Sequence, residues 1–238
     1  VSAHEGIRQN IRNQQDGYIP RFFTTIQLLF AGNDTEGLHY GVIKTSEKFW
    51  LRWKEPCGDP CEKSIFTIEE YPNELDRSVL QFFEPVRFLE FIHDFTIFDG
   101  GIKKAARPNQ YFAVKASQSR VRNKQNGIIW HSQGSGKSLT MVWLAQWIRE
   151  NVNDARVVII TDRDELDKQI ENGFKDAGEK IHRAKSGGQL IEMLNTADPW
   201  LICTLIHKFG NKSEGESIAV GGKKAVKSLE LYLEELAK

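Results

Sequence analysis

A stretch of eight residues, His-Ser-Gln-Gly-Ser-Gly-Lys-Ser at 131–138, constrains the fold of this chain more than any other part of the sequence. It follows an apolar run of strand-forming residues at 127–130 and precedes an apolar segment that begins at Leu139. A strand that ends in a glycine-containing turn and leads into a helix directs backbone N–H groups and a helix N-terminus toward one point, where they bind an anion. The sequence therefore predicts a phosphate-binding loop between a strand and a helix.

The residue types in this loop fit the chemistry of a nucleoside triphosphate. Gly134 and Gly136 permit the turn, the Lys137 ammonium would reach the β- and γ-phosphates, and the Ser138 hydroxyl would bind Mg²⁺. The strict pattern begins with glycine, whereas this chain has His131, a departure that helicase-type NTPases often show. The departure therefore points to a subclass of nucleotide-binding protein, and the expected strand–loop–helix context argues against a chance match.

Downstream of the loop, strand candidates alternate with helical segments. The pattern predicts a helix to about Asn151, strands at 156–160, near Ile181 and at 201–204, and helices from Asp164 and at 189–194. Such alternation is typical of a parallel, doubly wound α/β fold, in which ligands bind at the carboxyl ends of the strands. We therefore predict the α/β class, with the residues that follow 160 and 204 at the ligand-binding edge.

The chain before the loop divides into two segments of different character. The segment 1–60 has a polar helix candidate at 4–13 and strand candidates at 22–30, around Val42 and at 49–51, which are too few to bury a core alone. In the segment 61–104, apolar residues at 73–98 recur at helical spacing, and Pro85 suits the first turn of a second helix. We interpret the first segment as a piece of a sheet and the second as a helical connector.

Composition and charge limit the classes of function. The 32 Lys and Arg residues balance 32 Asp and Glu residues, so overall basicity gives no argument for nucleic acid. Residues 103–124 nevertheless hold seven Lys or Arg and no acid, which predicts either an anion-facing surface or a solvated helical face. No run reaches the roughly 20 apolar residues of a membrane span, and Cys57, Cys61 and Cys203 form neither a disulfide framework nor a zinc pattern. We therefore expect a cytoplasmic protein.

Three stretches of the chain resemble the restriction (R) subunit of type I restriction–modification enzymes, a superfamily 2 DNA translocase fused to a nuclease domain. They are residues 107–113 (Arg-Pro-Asn-Gln-Tyr-Phe-Ala), residues 128–141 around the phosphate loop, and residues 160–169 (Ile-Thr-Asp-Arg-Asp-Glu-Leu-Asp-Lys-Gln). The resemblance implies an incomplete RecA-like motor domain at 105–238, with the C-terminal piece of an α/β nuclease domain at 1–60 in front of it. It also implies ATP and Mg²⁺ as cofactors, and double-stranded DNA and the modification and specificity subunits as partners.

The resemblance assigns roles to individual residues. Gln110 corresponds to the glutamine that reads the adenine edge, a donor–acceptor contact that an amide can make and a carboxylate cannot. Gln9 corresponds to a glutamine of the nuclease helix, although Asn13 stands where the family has tyrosine. Loops containing Thr161, Arg163 and Thr204 would contact the DNA backbone. The implied nucleotide-binding set is Gln110, Gln133, Gly134, Ser135, Gly136, Lys137, Ser138 and Leu139, with Ser138 also as the metal ligand and with Lys137 and Gln9 as the catalytic residues.

Two sets of residues that this chemistry requires do not occur in the sequence. The ATPase would need a later acidic motif for Mg²⁺ and arginines from a second motor domain, and the nuclease would need an Asp and a Glu-x-Lys. We therefore expect a fragment of a longer polypeptide that binds ATP without turnover and does not cut DNA alone.

Two alternatives to a translocase fragment remain open. One is a P-loop kinase or small GTPase, although residues 211–214 (Asn-Lys-Ser-Glu) fail the last position of the GTPase base-reading motif. The other is a non-catalytic DNA-binding or assembly module with a vestigial nucleotide site. Measuring nucleotide binding separately from turnover would distinguish the second alternative.

Overall fold

The structure, a computed structural model, describes residues 2–56 and 72–209. The chain divides into two compact units, residues 1–147 and 148–238, whose boundary falls inside helix α5 (Lys137–Asn151). Both units combine helices with strands, so the predicted α/β class is confirmed. The predicted boundaries at 60 and 104 both lie inside the first unit, and the assignment of these domains stays a prediction. Cys57, Cys61 and the stretch 211–214 lie outside the described residues.

The first unit begins with a helix packed on a small antiparallel sheet. Helix α1 begins at the N-cap Ser2, whose hydroxyl accepts a hydrogen bond from His4 N, and its Ile7 is buried against Leu29 and Trp50. The predicted helix at 4–13 is confirmed. The predicted strand at 22–30 is wrong except at its last two residues, 29 and 30, which begin the first strand. Residues 20–24 form a 3₁₀ turn that begins with Pro20, because proline fixes φ and lacks the N–H that strand pairing requires. The bounds are α1 (Ala3–Asn13), the turn Pro20–Thr24, and the sheet β1 (Leu29–Asn33), β2 (Gly37–Gly41) and β3 (Leu51–Arg52), in that order.

Two helices and a hairpin follow. Helices α2 (Glu74–Phe82) and α3 (Pro85–Asp94) confirm the predicted connector helices, and Pro85 occupies the first turn of α3 as predicted. The helical pattern extends to Phe98, and here it is wrong, because residues 96–105 form the antiparallel hairpin β4 (Thr96–Asp99) and β5 (Ile102–Ala105). Gly100 and Gly101 turn this hairpin with φ of +57° and +80°, which glycine adopts at little cost.

An aromatic cluster forms the core of the first unit and joins the N-terminal sheet to helix α4 (Pro108–Arg122). The ring centroid of Trp53 lies 4.8 Å from that of Phe82 and 5.5 Å from that of Tyr111 on α4. The buried Tyr40 hydroxyl donates a hydrogen bond of 2.7 Å to the Ala106 carbonyl oxygen, next to the start of α4. Because each large aromatic side chain buries roughly 150–250 Å², this cluster fixes the sheet relative to α4.

The second unit contains a three-stranded parallel sheet in the order β6-β8-β7. The chain alternates strand and helix as predicted: β6 (Val157–Thr161), α6 (Asp164–Asp176), β7 (His182–Arg183), α7 (Gly187–Asn195) and β8 (Leu201–Leu205). The carboxyl ends of β6 and β8 are neighbours, since Thr161 pairs with Leu205. Across the described part of both units, no helix combines the length and apolarity that crossing a membrane requires.

Candidate nucleotide-binding site

Residues 131–136 form the turn that leads into α5. Gly134 and Gly136 have φ of +76° and +82°, a region that glycine adopts readily and other residues avoid. No atom of the described residues lies within 4 Å of a Cβ built on Gly134, so this side of the loop is open to a ligand. Helix α5 begins at Lys137, and its first N–H groups and positive dipole end face the turn. The predicted turn and helix are therefore present.

The segment before the loop differs from the prediction. Residues 127–130 are not a strand, and no strand within residues 2–56 and 72–209 pairs with them. Their side chains are unusually exposed for apolar residues, at 90% for Ile128 and 92% for Trp130. A strand forms only where a neighbour satisfies its backbone N–H and C=O groups. The strand predicted at 127–130 from apolar composition alone is therefore wrong.

The carbonyl oxygen of Gly136 connects the loop to α4. It accepts hydrogen bonds from Gln110 Nε2 at 2.9 Å, and from Thr140 N and Oγ1 at 3.2 and 3.3 Å. The Oε1 atom of Gln110 accepts a further bond of 2.8 Å from Arg107 N at the N-cap of α4. Gln110 is only 2% exposed, and both ends of its amide are bonded, so its side chain braces the loop against α4. The predicted adenine contact stays a prediction, and it requires one of these bonds to be released.

The Lys137 ammonium lies over the loop. Its Nζ donates to the carbonyl oxygens of Ser132 at 3.0 Å and His131 at 3.4 Å, and Ser135 Oγ donates to the same Ser132 oxygen at 2.8 Å. A phosphate oxygen is a stronger acceptor for the ammonium than these neutral carbonyls, because it carries negative charge as well as lone pairs. Lys137 is thus placed to exchange the loop carbonyls for an anionic ligand.

The remaining loop residues supply donors that fit a magnesium nucleotide. Gln133 is exposed at the tip of the turn, and Ser138 lies in the first turn of α5, where its hydroxyl is an oxygen ligand of the kind that Mg²⁺ binds. Leu139 borders, together with Gln110 and Gly136, a cavity of about 600 Å³. That volume lies in the range of sites that hold small organic ligands. The turn, the helix start and the cavity together suit a nucleoside triphosphate.

The three residues predicted to contact DNA lie in the second unit, in different environments. Thr161 is 6% exposed, with its Oγ1 3.4 Å from Asp167 Oδ1, and Thr204 is fully buried. The Thr204 hydroxyl has no hydrogen-bond partner in the described part of the chain. Arg163, the N-cap residue of α6, has a side chain that is 77% exposed. The DNA contact stays a prediction, and of the three side chains only that of Arg163 is presented to solvent.

Most cationic side chains of the basic stretch 103–124 contact partners inside the first unit. Lys104 pairs with Asp99, and Lys115 pairs with Glu90 at 2.7 Å. Three further cations of the stretch have neutral partners. Lys103 donates hydrogen bonds to Ile26 O and Gln27 Oε1, and Arg120 donates to Asn126 O. The guanidinium of Arg122 lies over the Trp147 ring. Five of the seven cations therefore have intramolecular partners. This favours the structural interpretation of the stretch over the DNA-facing one.

Gln9 lies on the exposed face of α1. The neighbouring Asn10 is instead turned inward, where its Nδ2 donates to Gly6 O at 3.0 Å and Phe30 O at 3.2 Å. The catalytic role suggested for Gln9 stays a prediction, and an exposed helical amide remains the simpler interpretation.

Sequence reasoning missed two functional features of the chain. Thr140 supports the Gly136 carbonyl through both its N–H and its hydroxyl, and only the helical i, i+4 spacing signals this. Asp167 is fully buried and bonded to Arg183, which also contacts Asp164 at the start of α6. The partner Arg183 lies on a strand 16 and 19 residues away from these two acids, so their ion pairs have no local sequence signal.

The comparison with protein families gives the class of the chain. Residues 109–231 match the family model described as SWI2/SNF2 ATPase. This match covers just over half of the chain and includes α4, the phosphate loop and α5. The chain belongs to the SWI2/SNF2 ATPase family.

Curated relatives extend the similarity beyond the ATPase segment. A putative type I restriction enzyme MjaIXP endonuclease subunit of Methanocaldococcus jannaschii is 28% identical over 221 residues, covering 83% of this chain and 21% of the relative. The type I restriction enzyme SauCOLORF180P endonuclease subunit of Staphylococcus aureus is 26% identical over 226 residues, covering 91% and 23%. The HindI endonuclease subunit of Haemophilus influenzae is 28% identical over 125 residues, covering 47% and 12%. These names confirm the resemblance to type I restriction subunits, and the chain spans about a fifth of the length of the first two relatives.

Proposed function

We propose that the chain binds ATP·Mg²⁺ through residues 131–138 and is part of an ATP-dependent, DNA-translocating type I restriction endonuclease subunit. The observation that carries the proposal is the construction of the loop around Gly136. Its carbonyl is held by three donors, its positive φ requires glycine, and Lys137 follows it at the first position of a 15-residue helix. This arrangement leaves the loop N–H groups and the lysine for an anion.

Each residue of the loop then has a defined task. The terminal phosphates lie over the N-terminus of α5, and Lys137 exchanges its bonds with the loop carbonyls for bonds to phosphate oxygens. Ser138 binds Mg²⁺, which neutralises charge on the phosphate chain when it is present. Gln110 holds the Gly136 carbonyl against α4, so that the turn keeps its shape when the ligand binds.

For the whole protein, we propose hydrolysis of ATP to translocate and cleave double-stranded DNA, in a cytoplasmic complex with modification and specificity subunits. The names of the relatives support this assignment, since each is an endonuclease subunit of a type I restriction enzyme. Within this chain, Arg163 is the side chain that we propose to contact the DNA backbone, because it is exposed beside the carboxyl end of β6. A non-catalytic module with a vestigial nucleotide site is the alternative, and it predicts no ATP binding at the loop.

Calorimetry with ATP·Mg²⁺ tests the proposal. The Lys137→Ala variant should lose ATP affinity by about 100-fold, because charge-assisted bonds contribute roughly 1.5–3 kcal/mol each. Lys175→Ala is the matched control, since it removes an exposed lysine of the second unit that pairs with Glu171 one helical turn away. Unchanged ATP affinity in the Lys137→Ala variant would overturn the assignment of the site.

A further inference from the structure

The cavity beside the phosphate loop has a second wall that the ATPase motifs do not include. Gln110, Gly136 and Leu139 form the wall on the side of the loop. Other lining residues come from the segment between β2 and β3, around 42–49, and from strand β5. Both walls belong to the first unit, where the bond from Tyr40 to Ala106 and the aromatic cluster hold the sheet against α4.

Among the residues that the structure describes, five cationic side chains and no carboxylate line this space, which we name the lysine cavity. The cations are Lys44, Lys48, Lys103, Lys104 and Arg107. Within the described residues, only Lys104 has an acidic partner, Asp99. The other four positive charges are not neutralised by an acid among those residues, and clustered charge of one sign in a cleft attracts ligands of the opposite sign.

Lys103 is the most constrained of these cations. Its side chain is buried, the whole residue being 8% exposed, and its Nζ donates to two neutral oxygens, Gln27 Oε1 at 2.6 Å and Ile26 O at 3.2 Å. Burial lowers the pKa of Lys103, as expected for a cation that loses water without gaining a counter-ion. An anion in the lysine cavity would supply the missing negative charge.

The segment that carries Lys44 and Lys48 is held in one conformation. Lys44 has φ of +62°, which non-glycine residues adopt only where the surroundings compensate, and its N–H donates to Gln14 Oε1 at 2.7 Å. Thr45 Oγ1 accepts a bond of 3.1 Å from Val42 N in the same segment. Lys44 is thus presented by a hydrogen-bonded turn, Lys48 lies in the following 3₁₀ turn Glu47–Phe49, and both are exposed at the cavity.

We propose that the lysine cavity receives the nucleoside and α-phosphate end of a nucleoside triphosphate whose terminal phosphates lie on residues 131–138, and that Lys44 and Lys48 contact its phosphate chain. The inference rests on the proposed function of the loop. A ligand that begins on the loop continues past Gly136 and Leu139, which are shared by the loop region and the cavity. Binding of the nucleotide then connects the N-terminal sheet to the phosphate loop.

The test compares two charge-neutralising double variants by calorimetry at fixed ionic strength. Lys44→Asn with Lys48→Gln removes both lysines, and asparagine is chosen because it tolerates positive φ. The control, Lys168→Gln with Lys175→Gln, removes two exposed lysines from α6 and changes the net charge equally. ATP and inorganic tripolyphosphate are the ligands, and circular dichroism verifies that each variant is folded.

We expect the cavity variant to lose ATP affinity by about 5- to 20-fold and the control by less than about 2-fold, given the usual strength of exposed charged contacts. Wild type should bind ATP at least about 10-fold more tightly than tripolyphosphate, because only ATP places a nucleoside in the cavity. If Lys137→Ala lowers ATP affinity by about 100-fold and the cavity variant binds ATP like wild type, this inference fails while the proposed function stands. Equal wild-type affinity for ATP and tripolyphosphate also overturns it, and absence of ATP binding by wild type overturns both.

Discussion

Replacing Gly136 by alanine should disturb the loop in two separable ways. Alanine at φ of +82° costs roughly 1–2 kcal/mol in backbone energy. The new Cβ would also stand less than 3.0 Å from Gln110 Nε2 and displace its amide, which makes two hydrogen bonds worth about 1 kcal/mol each. We therefore expect Gly136→Ala to lower the free energy of unfolding by about 3–4 kcal/mol.

A double-mutant cycle with Gln110→Ala separates the two contributions. The single variant Gln110→Ala should cost about 2 kcal/mol, through its two lost hydrogen bonds. Adding Gly136→Ala to it should cost only the roughly 1–2 kcal/mol of backbone energy, because no amide remains to be displaced. The losses of unfolding free energy in the two single variants should thus sum to about 2 kcal/mol more than the loss in the double variant.

Guanidinium unfolding followed by tryptophan fluorescence is the appropriate assay, since five of the six tryptophans lie in the first unit and only Trp200 lies in the second. Gly134→Ala is the matched control, because its φ is also positive but no atom of the described residues lies within 4 Å of its Cβ position. The changes in the free energy of unfolding caused by Gly134→Ala and Gln110→Ala should therefore be additive. Additive effects for Gly136→Ala and Gln110→Ala would refute the brace between α4 and the loop.

Three further predictions concern the rest of the chain. Tyr40→Phe should destabilise the protein by about 1–3 kcal/mol in the same assay, because it leaves the buried Ala106 carbonyl without its donor; an effect near zero would mean that water replaces the hydroxyl. Burial raises the pKa of the Cys203 thiol to about 12, so in a Cys57→Ser, Cys61→Ser background it should react with a disulfide reagent only on unfolding. Its contribution to stability should be complete below about pH 9 and lost as the pH rises toward 12, since the unfolded thiol ionises first; rapid labelling of the native protein would contradict this. Binding to duplex DNA, measured by fluorescence anisotropy, should weaken with salt, and Arg163→Ala should reduce the slope of log affinity against log salt by about 1; an unchanged slope would remove Arg163 from the contact.

The local signals of the sequence predicted the elements that depend on short-range physics. Helix α5, the strands β6 and β8 and the Pro85 start of α3 all appear close to their predicted positions. The turn of the phosphate loop was also predictable, because its two glycines are needed at positive φ. Each of these features has a signal in residues within a few positions along the chain, although β6 and β8 also need each other as partners.

Features that depend on distant partners were not predictable from the sequence. The apolar run at 127–130 has the composition of a strand, but pairing requires a neighbouring strand, and the described residues supply none. The partners of the cations in 103–124 could not be predicted from the sequence, because they are distant along the chain. Glu90 lies 25 residues from Lys115, and Ile26 lies 77 residues from Lys103. The burial of Thr204 has the same origin, since the central place of β8 between β6 and β7 is set by strand order.

Amide hydrogen exchange, measured with and without ATP·Mg²⁺, can show whether residues 131–138 are the nucleotide site. ATP·Mg²⁺ should slow exchange in peptides that cover 131–140, where loop N–H groups would bind phosphate, and in the first turn of α4, which Gln110 joins to the loop. The same protection should be absent in the Lys137→Ala variant. Protection confined to peptides outside these two segments, under conditions where ATP binding is saturated, would contradict the account.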